Sequence, residues 1–238
     1  MAVLYAGTSG WAYPTWKPLF YPEKLAQKKF LQHYATQLNT VEVNYTFRQL
    51  VKDTTVAKWL EETPEPFRFT IKAHQMMTHL KRLKGVGEFL ARFLETLEPL
   101  ARAKRLGPVL FQLPPNMKAD VEVLAAFLDL LPRSLRTAFE FRNESWFAES
   151  TYAVLAKYNA ALCVAESEER ETPDVVTANF CYYRYRKPEY SEGERAAMAK
   201  RIQEHLGAGR EVFAYFKHED TPDGALAAVE LLRQVAGK

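Results

Sequence analysis

Phe139-Glu140-Phe141-Arg142 and Val41-Glu42-Val43-Asn44 share one pattern: apolar, β-favouring residues at alternate positions, with a charged or amide side chain between them. Successive side chains of a strand point to opposite faces. The phenylalanines and valines therefore take one face, and Glu140, Arg142, Glu42 and Asn44 the other. Phe67–His74 repeats the arrangement, with Phe67, Phe69 and Ile71 opposite Thr70, Lys72 and His74. On a strand packed under helices, a polar side chain avoids costly burial only by entering a barrel mouth or by finding a partner. The three stretches predict helix-covered parallel strands whose polar residues gather at one end.

Short β-branched or aromatic runs alternate with longer segments of helical period along the whole chain. The strand candidates are Leu4–Thr8, Thr40–Val43, Phe67–Lys72, Val109–Leu113, Thr137–Phe141, Ala161–Ala165, Phe180–Tyr185 and Glu211–Phe216. The helical stretches between and after them are Lys24–Leu38, Thr54–Glu62, Val86–Ala101, Ala119–Leu130, Thr151–Tyr158, Glu192–Leu206 and Gly224–Val235. Only the link from Ala165 to Phe180 lacks a clear helix; it is acidic, contains Pro173 and predicts an irregular or weakly helical connection. Strand and helix in alternation imply right-handed crossovers and a parallel sheet. Eight such units within 238 residues predict an α/β fold, a single-domain TIM-type (β/α)8 barrel spanning residues 1–238. The rival, a doubly wound open sheet, calls for a glycine-rich turn leading from the first strand into a helix. Gly7-Thr8-Ser9-Gly10 leads instead into Trp11, Tyr13 and Pro14.

Composition narrows the function classes. The 32 basic and 29 acidic residues leave a formal charge of +3, too even for a protein that coats DNA or membrane by bulk charge. Any anionic partner must be met by a local cluster. No apolar run approaches the length of a membrane span, and Met1 runs into Val3–Ala6 without a basic leader, so the expectation is a soluble, cytoplasmic protein with no membrane partner. Cys163 and Cys181 lie in apolar stretches without a CxxC pairing and predict buried thiols.

The polar residues at strand ends are the candidate site, because barrel enzymes build their sites there from several strands. Glu42, Lys72, Glu140, Arg142 and Arg184 comprise three cations and two carboxylates, a local charge of +1. Arg142 and Arg184 can grip a carboxylate or phosphate through the guanidinium fork. Glu42 or Glu140 can serve as general base, and Lys72 as acid, electrostatic stabiliser or Schiff-base amine. The competing reading is a mutually satisfied layer of ion pairs that holds the strands in register. Asn44, His74 and Gln112 join the candidate substrate contacts by position. Trp11, Tyr13 and Trp146 join them as rings, either stacking on a ligand or plugging a long first loop, Trp11–Pro22, expected to cover part of the mouth. His74 and His79 form no metal-ligand spacing with these carboxylates, so no metal is assigned. Walker, dinucleotide and GxSxG patterns are absent, and the sequence assigns no cofactor.

Five segments together resemble a known family: Gly7–Trp11 continuing to Phe20-Tyr21-Pro22; Val41–Asn44 with Thr46-Phe47; Lys72-Ala73 with Thr78-His79 and Leu83; Leu106–Pro108 through Gln112–Pro115; and Phe139–Arg142 with Ser145–Phe147. The combination resembles the DUF72, or YecE-like, family of unknown function. The resemblance implies a TIM-type barrel and names no reaction. The chain departs from the family pattern in its last third. Arg184 is followed by Tyr185-Arg186-Lys187 instead of an Arg followed by His-Gly, Glu166 takes the place of an Asp, and Phe216-Lys217-His218 replaces Phe-Asn-Asn.

Three functions follow as expectations. The first is an enzyme acting on a small anionic substrate by general acid/base chemistry. The second is a barrel that binds nucleic-acid ends or acts on phosphodiesters, using the aromatic loop and Lys81–Lys84. The third is a non-catalytic barrel that recognises a metabolite or protein. Nothing in the sequence assigns an oligomeric state.

Overall fold

The structure, a computed structural model, describes residues 2–167, 170–187, 189–217 and 220–236. Its strands are β1 (Leu4–Thr8), β2 (Thr40–Val43), β3 (Arg68–Lys72), β4 (Leu106–Gln112), β5 (Thr137–Glu140), β6 (Ala161–Ser167), β7 (Arg170–Glu171), β8 (Phe180–Tyr185) and β9 (Glu211–Phe216). Its helices are α1 (Phe30–Gln37), α2 (Asp53–Glu62), α3 (Gly87–Arg102), α4 (Val121–Asp129), α5 (Glu149–Lys157), α6 (Glu192–Gly207) and α7 (Asp223–Ala236). Spatial order is β1-β9-β8-β6-β5-β4-β3-β2, every neighbouring pair parallel, so eight strands form a nearly closed TIM-type barrel. The connection from β6 to β8 is not helical among the described residues. It turns back through β7, antiparallel to the end of β6.

Closure between β1 and β2 is made largely by side chains. A single parallel bridge joins Ser9 to Glu42, with the Gly10 N–H donating to the Glu42 carbonyl at 2.9 Å. Below it, Asn39 accepts from the Ala6 N–H at 2.9 Å and donates to the Leu4 carbonyl at 2.8 Å. The Tyr34 hydroxyl accepts from the Thr8 N–H at 2.8 Å and donates to the Thr40 carbonyl at 2.9 Å. Buried backbone polar groups need partners, and these two side chains supply them where the ladder is missing. The approach requires glycine at position 7, where a Cβ would stand 2.0 Å from the Thr40 carbonyl oxygen.

The strand parity of the sequence holds within the regular strands. Tyr5, Leu110, Ala138, Cys163, Tyr182, Phe213 and Tyr215 fill the barrel interior, while Phe69, Ile71, Val109, Phe111 and Phe139 face outward into the larger core beneath the helices. The Tyr215 hydroxyl meets those of Thr40 and Thr70 at 2.9 and 2.6 Å, a polar tie across the barrel floor. Both cysteines are free and buried, and burial pushes both thiols up, away from nucleophilic reactivity.

Most of the element boundaries that differ from the sequence expectation do so by one or two residues, and two shift by three or more. The fourth strand begins at Leu106, not Val109, with Gly107 and Pro108 forming a bulge opposite Thr70 between the pairs Phe69–Leu106 and Ile71–Val109. The bulge leaves Pro108, which has no N–H to donate, outside the paired positions of the ladder. The first helix begins at Phe30, not Lys24, because a turn at Pro22–Leu25 and an extended Ala26 precede it and no side-chain cap fixes an earlier start.

Candidate functional site

At the carboxyl ends of the strands lies a cavity of about 380 Å³ lined by Asn44, Tyr45, Phe47, Arg48, Lys72, Gln112, Arg142, Arg184, Arg186 and Lys217. Beneath it the two carboxylates from β2 and β5 are almost fully buried on either side of one guanidinium. Glu42 accepts from the Ser9 hydroxyl at 2.7 Å, the Tyr182 hydroxyl at 2.6 Å and Arg184 Nη2 at 2.7 Å. Glu140 accepts from Gln112 at 2.9 Å, Arg142 at 3.2 Å, Arg186 at 2.9 Å and Arg184 Nη1. Burial alone would raise both carboxyls. The guanidinium of Arg184, helped by these donors, outweighs it and holds both below the ordinary value, Glu140 far below.

Lys72 stands apart from this layer. Its ammonium lies 4.5 Å from the Phe47 ring centroid, a cation–π contact, and Thr46 fixes its backbone by donating to the Lys72 carbonyl at 2.8 Å. Burial, with Arg184 adding repulsion, brings its pKa down to about 8. His79 packs edge-on against the same Phe47 ring at 4.9 Å, and burial with the nearby Lys72 and Arg142 charges lowers its pKa. Three polar atoms around the cavity, Asn44 Oδ1, Arg184 Nε and Arg186 Nε, are buried without a hydrogen-bond partner among the described residues. Among the described residues no group of three His, Cys, Asp or Glu side chains is placed to hold a metal ion. Likewise no described helix is long and apolar enough to cross a membrane.

Comparison with known proteins places this barrel. The family model described as "Protein of unknown function DUF72" matches residues 5–238. The chain belongs to the DUF72 family. It is similar to the UPF0759 protein YunF of Bacillus subtilis, 33% identical over 156 residues, which cover 63% of this chain and 54% of that protein. The UPF0759 protein YecE of Escherichia coli is 31% identical over 148 residues, 62% of this chain and 51% of that one. The match thus spans about half the length of these curated relatives. A DUF72 family crystal structure from Thermotoga maritima superposes with a TM-score of 0.85 at 26% identity, covering 99% of this chain and 100% of that one. Another from Enterococcus faecalis gives 0.80 at 19% identity, covering 100% and 99%, and shows the shared fold.

Within this DUF72 barrel, Glu42, Lys72, Glu140, Arg142, Arg184, Asn44 and Gln112 come together at the mouth or directly beneath it. Four expected contacts do not. Trp146 is wholly buried, stacked on Phe141 at 4.6 Å and donating its indole N–H to the Met117 carbonyl at 2.8 Å. His74 accepts from the Met76 N–H at 3.0 Å and lies against Phe89, because β3 ends at Lys72 and strand parity no longer governs position 74. Tyr13 folds back over Gly10, donates to the Ser9 carbonyl at 2.8 Å and packs on Trp16. Trp11 meets Trp59 of α2 edge-on at 5.8 Å and lines a separate groove with Lys28 and Lys58. The first loop leaves β1 at the mouth end but lines none of the cavity. Its rings Trp16, Phe20 and Tyr21 pack among themselves and onto α1, with Tyr21 stacked on Phe30 at 4.0 Å, so it is a hydrophobic plug.

Residues that the sequence reading passed over complete the site. Tyr182 and Arg186 share the inward parity of Arg184, a signal present in the sequence. Arg48 and Lys217 sit on turns where no period applies, whereas Phe47 is one of the rings that the sequence places at the mouth. Two departures in the last third contribute directly, Arg186 by pairing with Glu140 and Lys217 by lining the cavity, whereas Glu166 accepts from Tyr190 at 3.0 Å and lines none of it. His218 lies outside the described residues. With Arg48, Arg186 and Lys217 counted, six cations stand against two carboxylates, a net +4 where the sequence reading finds +1.

The burial of Trp146 has a direct test. Phenylalanine in its place keeps the ring stack but leaves the Met117 carbonyl unpaired, so Trp146→Phe is expected to lower unfolding free energy in urea by about 1–3 kcal/mol without altering anion affinity. A loss of affinity at unchanged stability would return Trp146 to the mouth.

Proposed function

We propose that the mouth binds a small, multiply charged anion and acts on it by acid/base chemistry. One observation carries the reading: among the described residues six cationic side chains line the cavity and no carboxylate does. The two carboxylates lie below, and every described donor around them is committed to keeping them ionised. A carboxylate held this far below neutrality is a feeble general base. Glu42, Arg184 and Glu140 therefore serve as a fixed layer that orients Arg142 and Arg186, while Lys72, with a pKa brought down to about 8, is the lining group able to exchange a proton near neutral pH. Arg142 and Arg186, whose side chains are 37% and 18% exposed, offer donors to an anionic oxygen. The cavity volume suits a metabolite of a few carbons with one or two phosphates or carboxylates.

Equilibrium dialysis with sugar phosphates, di- and tricarboxylates and a short single-stranded oligonucleotide tests this. A charge-assisted hydrogen bond contributes about 1.5–3 kcal/mol, so Arg186→Ala is expected to weaken binding of the preferred small anion roughly 10- to 100-fold. Lys104→Ala, at the opposite end of the barrel, is expected to change nothing. Affinity should fall as salt rises. Binding of the oligonucleotide in preference to every small anion would favour the phosphodiester reading. Binding of none at low salt would remove the proposal.

A further inference from the structure

We propose that Lys72 is a catalytic amine that condenses with the carbonyl carbon of its substrate, an anion that also carries an aldehyde or ketone: a 2-oxo acid or a phosphorylated carbonyl compound. The proposal rests on the anion-binding reading of the mouth and assigns it a substrate class.

The geometry separates Lys72 from its neighbours. Of the six lining cations among the described residues, four are guanidinium groups, which stay charged in proteins. They and Lys217, exposed at the end of β9, supply the attraction for an anion without help from Lys72. A lysine serving only to attract charge gains from exposure or from a carboxylate partner, and Lys72 has neither. It is half-buried, lies over the Phe47 ring, and among the described residues no carboxylate reaches ion-pair distance of Nζ. Desolvation beside other cations is the arrangement that keeps an amine partly unprotonated and nucleophilic. The groups facing it are Glu42 from β2, Tyr45 and Arg48 from the turn that follows, and His79 beyond β3. Glu140 and Arg142 face it from β5 and its extension, Arg184 and Arg186 from β8 and just past it, and Lys217 after β9. The cations outnumber the carboxylates, and both carboxylates are turned toward Arg184.

The step balances without an external oxidant or reductant. The Nζ lone pair attacks the carbonyl carbon, the C=O π pair moves to oxygen, and one proton from nitrogen reaches that oxygen to give a carbinolamine. Loss of the hydroxyl together with the remaining Nζ proton releases one water and leaves the imine. Protonation of the imine then draws electrons from the neighbouring carbon.

The full chain is incubated with pyruvate, 2-oxoglutarate or glyceraldehyde 3-phosphate, reduced with borohydride, and analysed by intact mass and peptide mapping, while binding of the same compounds is followed by equilibrium dialysis. The expected result is one adduct per chain located at Lys72. It should be at least tenfold suppressed by excess inorganic phosphate, form faster as pH rises through about 8, and be absent from Lys72→Met. Adducts scattered over exposed lysines, or equal labelling of Lys72→Met, with binding intact, would overturn the amine role and leave the anion site standing. Failure of every compound and of phosphate to bind would overturn both. The peptide map of the unsubstituted chain decides the matter even if Lys72→Met does not fold.

Discussion

Replacing Arg184 with methionine is expected to cost the barrel about 3–5 kcal/mol of unfolding free energy, the usual penalty for stranding a buried charge partner. Arg184 is 2% exposed and bridges Glu42 and Glu140, which are 0% and 2% exposed. Without it two carboxylates remain in the interior with nothing between them. The pH dependence should then change sign. In the wild type both carboxyls sit below their ordinary value of about 4.5. Their contribution is therefore fully present above that value and lost as pH falls below it, because the unfolded chain binds more protons there. In Arg184→Met, burial acts on Glu42 without its main opponent and raises its pKa above the unfolded value. The folded state then holds the extra proton, and stability is expected to increase as pH falls from 7 toward 5. Urea unfolding at pH 7, 6 and 5 measures this directly. Glu42→Gln/Arg184→Met, which removes one of the stranded charges and leaves Glu140 with Arg142, Arg186 and Gln112, should be less damaged than Arg184→Met alone. A single variant that loses under 1 kcal/mol with an unchanged pH slope would mean that the layer does not bear on stability.

Gly7→Ala is expected to be the most damaging change of one methyl group in the chain. The added Cβ would stand 2.0 Å from the Thr40 carbonyl oxygen and 2.8 Å from the Tyr34 hydroxyl, the two groups that seal β1 to β2. Backbone cannot move aside as a side chain can, so the cost should reach or exceed the upper part of the usual overpacking range of about 1–3 kcal/mol. The damage should also propagate to the mouth, since Ser9, two residues on, donates to Glu42. Gly193→Ala in α6 is the matched control. Its Cβ meets nothing within 4 Å, and it should stabilise by about 0.4–1 kcal/mol through the unfolded chain. Denaturation midpoints of the two variants compare them; equal midpoints would show that the seam tolerates a side chain.

The barrel was legible because its signal is repeated. Eight apolar runs separated by helical periods leave few topologies, and the pairs Val41/Val43 and Phe139/Phe141 tell which face of each strand is which. The same period located Glu42, Lys72, Gln112, Glu140 and Arg184. It stopped being informative where strands stop, which is why His74 was expected at the mouth and is turned toward Phe89. Ring counting failed for Trp146, Tyr13 and Trp11, because a large aromatic suits a core as well as a ligand and composition does not distinguish the two. The local charge of +1 left out Arg186, although it continues the parity of Arg184, and also Arg48 and Lys217, which reach the cavity from turns that only the three-dimensional arrangement brings together. What the structure changes most is the standing of the carboxylates. As sequence they resemble acid/base residues; in place they are enclosed by donors, and the cations above them are left to face solvent.

The claim that this mouth is an anion site is tested most directly by anomalous diffraction from crystals of the chain soaked in tungstate. Tungsten density is expected in the cavity among Arg142, Arg186 and Lys217, displaced when phosphate is added in excess. Tungsten found only on surface lysines outside the barrel end, with the cavity free of anomalous signal, would contradict it.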